Sequence, residues 1–165
     1  MPKQLLLVRH GKSDWGNLDL KDFDRPLNKR GKENAPEMAK RLVNRGFKFD
    51  LMVSSPAKRA KSTAKFFAEA FHVDEIHYEE SIYDANTNTL LKVVNDFNDA
   101  ADTVIMFGHN PGFTDLANEL SDADIYNIPT AGMVLMKFPF DSWKMISSGT
   151  GDLVFFDYPK NSDEI

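Results

Sequence analysis

Cysteine is absent from all 165 residues, which removes disulfides, thiol nucleophiles and thiolate metal sites from consideration. That absence is compatible with a cytoplasmic location, which is the expectation here. Positive charge is in deficit: 20 lysines and arginines face 25 aspartates and glutamates, for a net charge of −5. Broad binding to nucleic acid or to an anionic membrane is therefore not expected. Long apolar runs are missing as well. The stretch Leu5 to Val8 is far shorter than the ~18 residues of a membrane span and too short for the core of a secretory signal. Glycine-rich nucleotide loops, internal repeats and low-complexity segments are also absent. What remains is an ordinary globular composition, 42% hydrophobic and 27% charged, and its length fits one domain over residues 1–165. Nothing in the sequence sets an oligomeric state.

The apolar pattern alternates between short continuous runs and helical spacing. Leu5 to Val8, Leu51 to Val53 and Val104 to Phe107 read as strands buried on both faces. Between them, Ala35, Met38, Ala39, Leu42 and Val43 recur at helical steps up to Gly46, and Ala57, Ala60, Ala64, Phe67 and Phe71 do so after Pro56. Further helices are predicted over about 87–97 and 113–120. Met133 to Phe138, Trp143 to Ser147 and Leu153 to Phe156 read as strands that finish the sheet in a largely antiparallel manner. The expected fold is α/β, a three-layer α/β/α sandwich with a mixed, mostly parallel central sheet. The stretch from Lys12 to about Asn28 has no clear period, and loops of that length in compact domains usually serve the site. Asn28 is a candidate cap for the helix that follows. The end from Asn161 to Ile165 is expected to fray.

Three segments carry the chemistry: Arg9-His10-Gly11, Ser55-Pro56-Ala57-Lys58-Arg59 and Gly108-His109-Asn110-Pro111-Gly112. Each follows a predicted strand, and ligands in open α/β sheets bind beyond the carboxyl ends of the strands. Neighbouring strands would bring two imidazoles and two guanidiniums together. A guanidinium fork can hold two phosphoryl oxygens while an imidazole attacks phosphorus. Lys58 and Lys61 fit a solvated helix face, and His72 and His77 have no comparable context. A metal centre fits poorly, since histidines flanked by arginines would set a cation among cations.

The order and spacing of these motifs resemble the histidine phosphatase superfamily, also called phosphoglycerate mutase-like, over nearly the whole chain. Lys12-Ser13-Asp14-Trp15, Asp24-Arg25-Pro26-Leu27 and Thr130-Ala131-Gly132 further resemble its SixA-type branch, whose named activity is phosphohistidine phosphatase. The resemblance implies that His10 attacks phosphorus and that Arg9, Arg59 and His109 hold the phosphoryl oxygens. It also implies substrate contacts from Arg9, Arg59, Ser13 and Gly108, and a reaction that needs no metal and no cofactor.

One part of the family pattern is missing. Relatives that expel an alkoxide supply a carboxylic acid, in some of them directly after the second histidine, where this chain has Asn110. Asp84 is a candidate acid, or else a cap for the next helix, and Glu80 aligns better as a helper. An imidazole leaves phosphorus more readily than an alkoxide, so a phosphohistidine on a signalling protein is the expected substrate. The alternatives are a small phosphoester, and a phosphate- or phosphoprotein-binding module without turnover.

Overall fold

The computed structural model describes residues 1–164, with side chains through Asn161. Its centre is a six-stranded sheet. The strands are β1 (Lys3–Arg9), β2 (Leu51–Ser54), β3 (His77–Tyr78), β4 (Thr103–Gly108), β5 (Met133–Phe138) and β6 (Asp152–Asp157), in the order β3-β2-β4-β1-β5-β6. β1, β2, β3 and β4 run parallel, and β5 turns antiparallel to β1 and to β6. The register sets Arg9 opposite Gly108, so the first and third chemical segments leave the sheet side by side.

Period-two alternation in β1 divides the core between the two faces. Leu5 and Leu7 join Val104, Met106, Val134 and Met136 under α3 (Thr87–Asn95) and α4 (Gly112–Leu120). Leu6 and Val8 join Ile105, Phe107 and Met133 under α1 (Lys29–Asn44) and α2 (Lys58–Phe71). Helices therefore cover both faces, giving the expected α/β/α layers around a mixed sheet. The Asn28 side chain caps α1 by accepting the Gly31 N–H. His72 closes α2 in a left-handed conformation, and exposed His77 meets Glu75 on the surface.

The segment 143–147, expected as a strand, is instead a 3-10 turn over Trp143–Met145. Trp143 is fully buried and its indole N–H donates to the Ala101 carbonyl, while Asn95 Nδ2 binds the carbonyls of Trp143 and Ile146. Trp143 and Ile146 point inward and Met145 is exposed, so the buried positions are three apart, not two. Side chains satisfy the backbone that a strand partner would have bound. β3 was not expected, and with two residues at a sheet edge it has no periodicity to read. Pro159–Glu164 form a 3-10 segment; of the end expected to fray, Ile165 lies outside the described residues.

Two glycines fix where the loop after β1 runs. A Cβ on Gly31 would collide with the Lys12 carbonyl, and one on Gly11 would press on the Gly31 backbone and on Leu27 at 3.2 Å. Gly11 thus serves close packing between the strand end and α1, not a tight turn. Overpacking of this kind costs roughly 1–3 kcal/mol. Gly31→Ala should lower the unfolding free energy by about that amount, seen as a reduced denaturation midpoint at unchanged slope.

Candidate active site

Arg9, His10, Arg59 and His109 line one cleft of about 620 Å³. They arrive from three places: the end of β1, the first turn of α2 and the residue after β4. His10, Arg59 and His109 are all buried, and the two imidazole centroids lie 5.2 Å apart. Ser13, Asp14, Trp15, Asp22, Arg25 and Tyr83 line the same cleft, with Asp84 and Asn110.

Each imidazole has one nitrogen engaged. His10 Nδ1 lies 2.7 Å from the Gly11 carbonyl. A carbonyl only accepts, so Nδ1 carries the proton and Nε2 keeps its lone pair. Burial, reinforced by His109 and the two arginines, pulls the His10 pKa down to about 3. His109 Nε2 lies 2.8 Å from Ser55 Oγ, which also accepts the Ala57 N–H. Burial and then Arg59 bring the His109 pKa down to about 3. Both rings are therefore neutral at pH 7, and the site's positive charge resides in the guanidiniums.

Three buried nitrogens have no hydrogen-bond partner among the described residues: Arg9 Nε, Arg59 Nε and His109 Nδ1. Buried polar groups without partners are expensive, and an oxyanion in the cleft would offer them acceptors. On Arg9 one terminal nitrogen is held, and on Arg59 both are. Arg9 Nη1 donates to the Ile128 carbonyl at 2.8 Å, and Arg59 donates to the Asp22 carbonyl at 2.6 Å and to its carboxylate at 3.0 Å. Among the described residues, no cluster of three or more histidine, aspartate or glutamate side chains could hold a metal.

Asp22 is a feature that sequence reasoning missed. It sits in a 3-10 turn, Asp22–Asp24, inside the long loop. Its carboxylate accepts from Arg59, from the Tyr83 hydroxyl at 2.6 Å and from Arg25 Nε at 3.1 Å. The Tyr83 hydrogen bond first, then Arg59, hold its pKa down at about 2. Arg25 is buried, binds Ser13 Oγ and lies 3.5 Å from the centroid of Trp15. The Tyr83 ring stands edge-on to His109. One carboxylate thus ties the loop to α2 and to the segment before α3. The available signal was an acid and an arginine three residues apart in an aperiodic loop.

Other expected residues take different places. Ser13 lines the cleft with its hydroxyl bound by Arg25. Gly108 does not line it: a Cβ there would strike the Phe113 ring, so its lack of a side chain serves packing. Glu80 is exposed in a 3-10 turn away from the cleft. Asp84 lines the cleft and is exposed, while the cap of α3 is Asn86, so capping is not Asp84's role. Asn110 is fully engaged. Its Nδ2 donates to Asn127 Oδ1 and the Ile128 carbonyl, and its Oδ1 accepts from the Thr114 N–H and hydroxyl. It latches α4 to the segment that holds Arg9.

Two measurements follow from these charges. Between pH 6.5 and about 3 the unfolded chain protonates histidines that the fold keeps neutral, so stability should be full above 6.5 and fall through that window. The slope approaches about 1.4 kcal/mol per pH unit for each ring, and His109→Asn should flatten it in denaturant titrations. Asp22→Ala should cost about 10²-fold in kcat/KM by releasing Arg59 from its position, with Asp22→Asn, which keeps an acceptor for Tyr83, costing less.

Residues 5–91 match the family model for the histidine phosphatase superfamily (branch 1). A chloroplastic protein of Arabidopsis thaliana is 32% identical over 152 residues, 86% of this chain and 69% of that one. The phosphatase PhoE of Bacillus subtilis (strain 168) is 39% identical over 77 residues, 45% of this chain and 38% of its own length. The SixA structure from Agrobacterium tumefaciens superposes with a TM-score of 0.79 at 27% identity, covering 96% of this chain and 99% of that one. The matched stretch takes in the first two chemical segments, the superposition covers nearly the whole chain, and the chain belongs to the histidine phosphatase superfamily, branch 1, as a phosphatase with the SixA-type fold.

Proposed function

We propose that residues 1–165 form one domain that works as a metal-independent phosphatase, with His10 as its nucleophile and phosphohistidine on a protein as its substrate. The observation that carries this reading is the bond from His10 Nδ1 to the Gly11 carbonyl, which leaves Nε2 unprotonated in a ring that stays neutral at pH 7. Nε2 attacks phosphorus as the substrate's P–N bond breaks, and the departing imidazole keeps the electron pair and takes up a proton. Water then attacks phosphorus, the bond to Nε2 breaks, and phosphate leaves with His10 restored. Arg9, Arg59 and His109 hold the three non-bridging oxygens and offset charge that spreads over them in the transition state. His109 serves as a donor through Nδ1 when Ser55 gives its own proton to Nε2. No step needs a metal, since guanidiniums supply the charge.

The leaving group argues for the substrate. Asn110 offers no acid to an alkoxide, because a carboxamide N–H is too weakly acidic to be given up, and its atoms are held by Asn127, Ile128 and Thr114. A phosphohistidine needs no strong acid, and the SixA structure from A. tumefaciens is assigned to phosphohistidine phosphatases. Asp84 favours a second reading. Its exposed carboxyl on the cleft wall could protonate the leaving oxygen of a small phosphoester.

Wild-type protein mixed with labelled phosphohistidine peptide should acquire an acid-labile, alkali-stable label, absent in His10→Ala. Loss of one donor, as in His109→Ala, should lower kcat by about 10²–10³. Label retained by His10→Ala would refute the nucleophile. Asp84→Asn should leave phosphohistidine turnover intact, and a loss confined to alkyl phosphates would support the second reading.

A further inference from the structure

Beside the phosphoryl cleft lies a second cavity of about 260 Å³, lined by Lys12, Arg30, Asn34, Thr130, Tyr158 and Lys160 together with two prolines. Lys12 and Thr130 line both cavities, so the two adjoin. The second takes three cations and no carboxylate from the described residues, in a chain whose net charge is −5. Lys12, Arg30 and Lys160 are exposed, and none of their side chains has an ion-pair or hydrogen-bond partner among the described residues. Glu33 lines an adjoining recess with Lys12 and Arg30 and pairs with neither, and Asp14, two residues from Lys12, lines the phosphoryl cleft and accepts the Gly16 N–H. Like charges held close without counter-ions repel one another, and a bound anion relieves that repulsion.

We propose that Lys12, Arg30 and Lys160 form a second anion subsite, which receives a carboxylate side chain near the phosphorylated residue of a polypeptide substrate. The chemistry is that of an anion beside a phosphoryl group, and the two cavities meet at Lys12. A carboxylate on a neighbouring residue supplies this without a second phosphorylation. The inference rests on the phosphohistidine reading, and it adds a sequence preference that the phosphoryl cleft alone would not impose. Arg30 and Lys160 do not line that cleft, so they can be changed without touching the groups around phosphorus.

The test compares two phosphohistidine peptides, one flanked by aspartates and one by asparagines, with a small monophosphorylated and a small bisphosphorylated ester. Wild type should favour the aspartate peptide through KM, with the preference shrinking as salt rises. Arg30→Glu and Lys160→Glu should each erase about tenfold of that preference and leave the asparagine peptide within about twofold of wild type. Equal losses on both peptides, or no loss on either, would overturn the subsite. A wild type that ignores both peptides but favours the bisphosphorylated ester, with Arg30→Glu removing that preference, would overturn the polypeptide source and the phosphohistidine reading together. Wild type that hydrolyses both peptides equally would overturn the subsite and leave the phosphohistidine reading standing.

Discussion

A single hydrogen bond, from His10 Nδ1 to the carbonyl of the next residue, fixes which nitrogen of the ring is free. Much of the fold exists to keep that carbonyl and that ring still. The Gly11 N–H donates to Thr63 Oγ1 on α2, and the His10 N–H donates to the Gly108 carbonyl at the end of β4. Gly11 also packs against Gly31 at the start of α1. Two helices and a neighbouring strand therefore converge on one dipeptide. The ring they hold is desolvated, so its basicity falls while its lone pair stays available.

Charge is arranged around that ring in a way the overall composition conceals. An acidic protein has collected Arg9, Arg25 and Arg59 along one cleft, and a single carboxylate, Asp22, holds two of them. The loop that carries Asp22 thereby acts as a brace on Arg59. Its most exposed aromatic, Trp15, is stacked by Arg25, which also grips Ser13. Loop, helix and cleft wall share one set of hydrogen bonds, and the order of the loop comes from the groups that surround the phosphoryl position.

Much of this was legible in the sequence. Strands buried on both faces give continuous apolar runs, so β1, β2 and β4 stood out, as did helices whose apolar residues recur at three and four. The positions of His10, Arg59 and His109 followed from strand ends, because parallel sheets place chemistry there. What escaped had no periodic trace. β3 is two residues long, and the turn at Trp143 mimics a strand because large apolar residues alternate there while side chains take its backbone hydrogen bonds. Asp22 and Tyr83, far apart in the chain, meet only through the fold. Gly108 was read by its motif, yet the Phe113 ring, which no local pattern brings near, explains it.

The latch at Asn110 bears on how such a chain could diversify. Aspartate there would set a carboxylate against the Asn127 side-chain oxygen and the Ile128 carbonyl, the latter also shared with Arg9. Acquiring an acid at that position therefore requires rebuilding the 127–128 segment at the same time, on which the arginine beside the nucleophile depends. A lineage confined to one replacement at a time would meet a barrier, and its easier routes toward alkyl esters would start from Asp84, which lines the same cleft and is unencumbered by any cap.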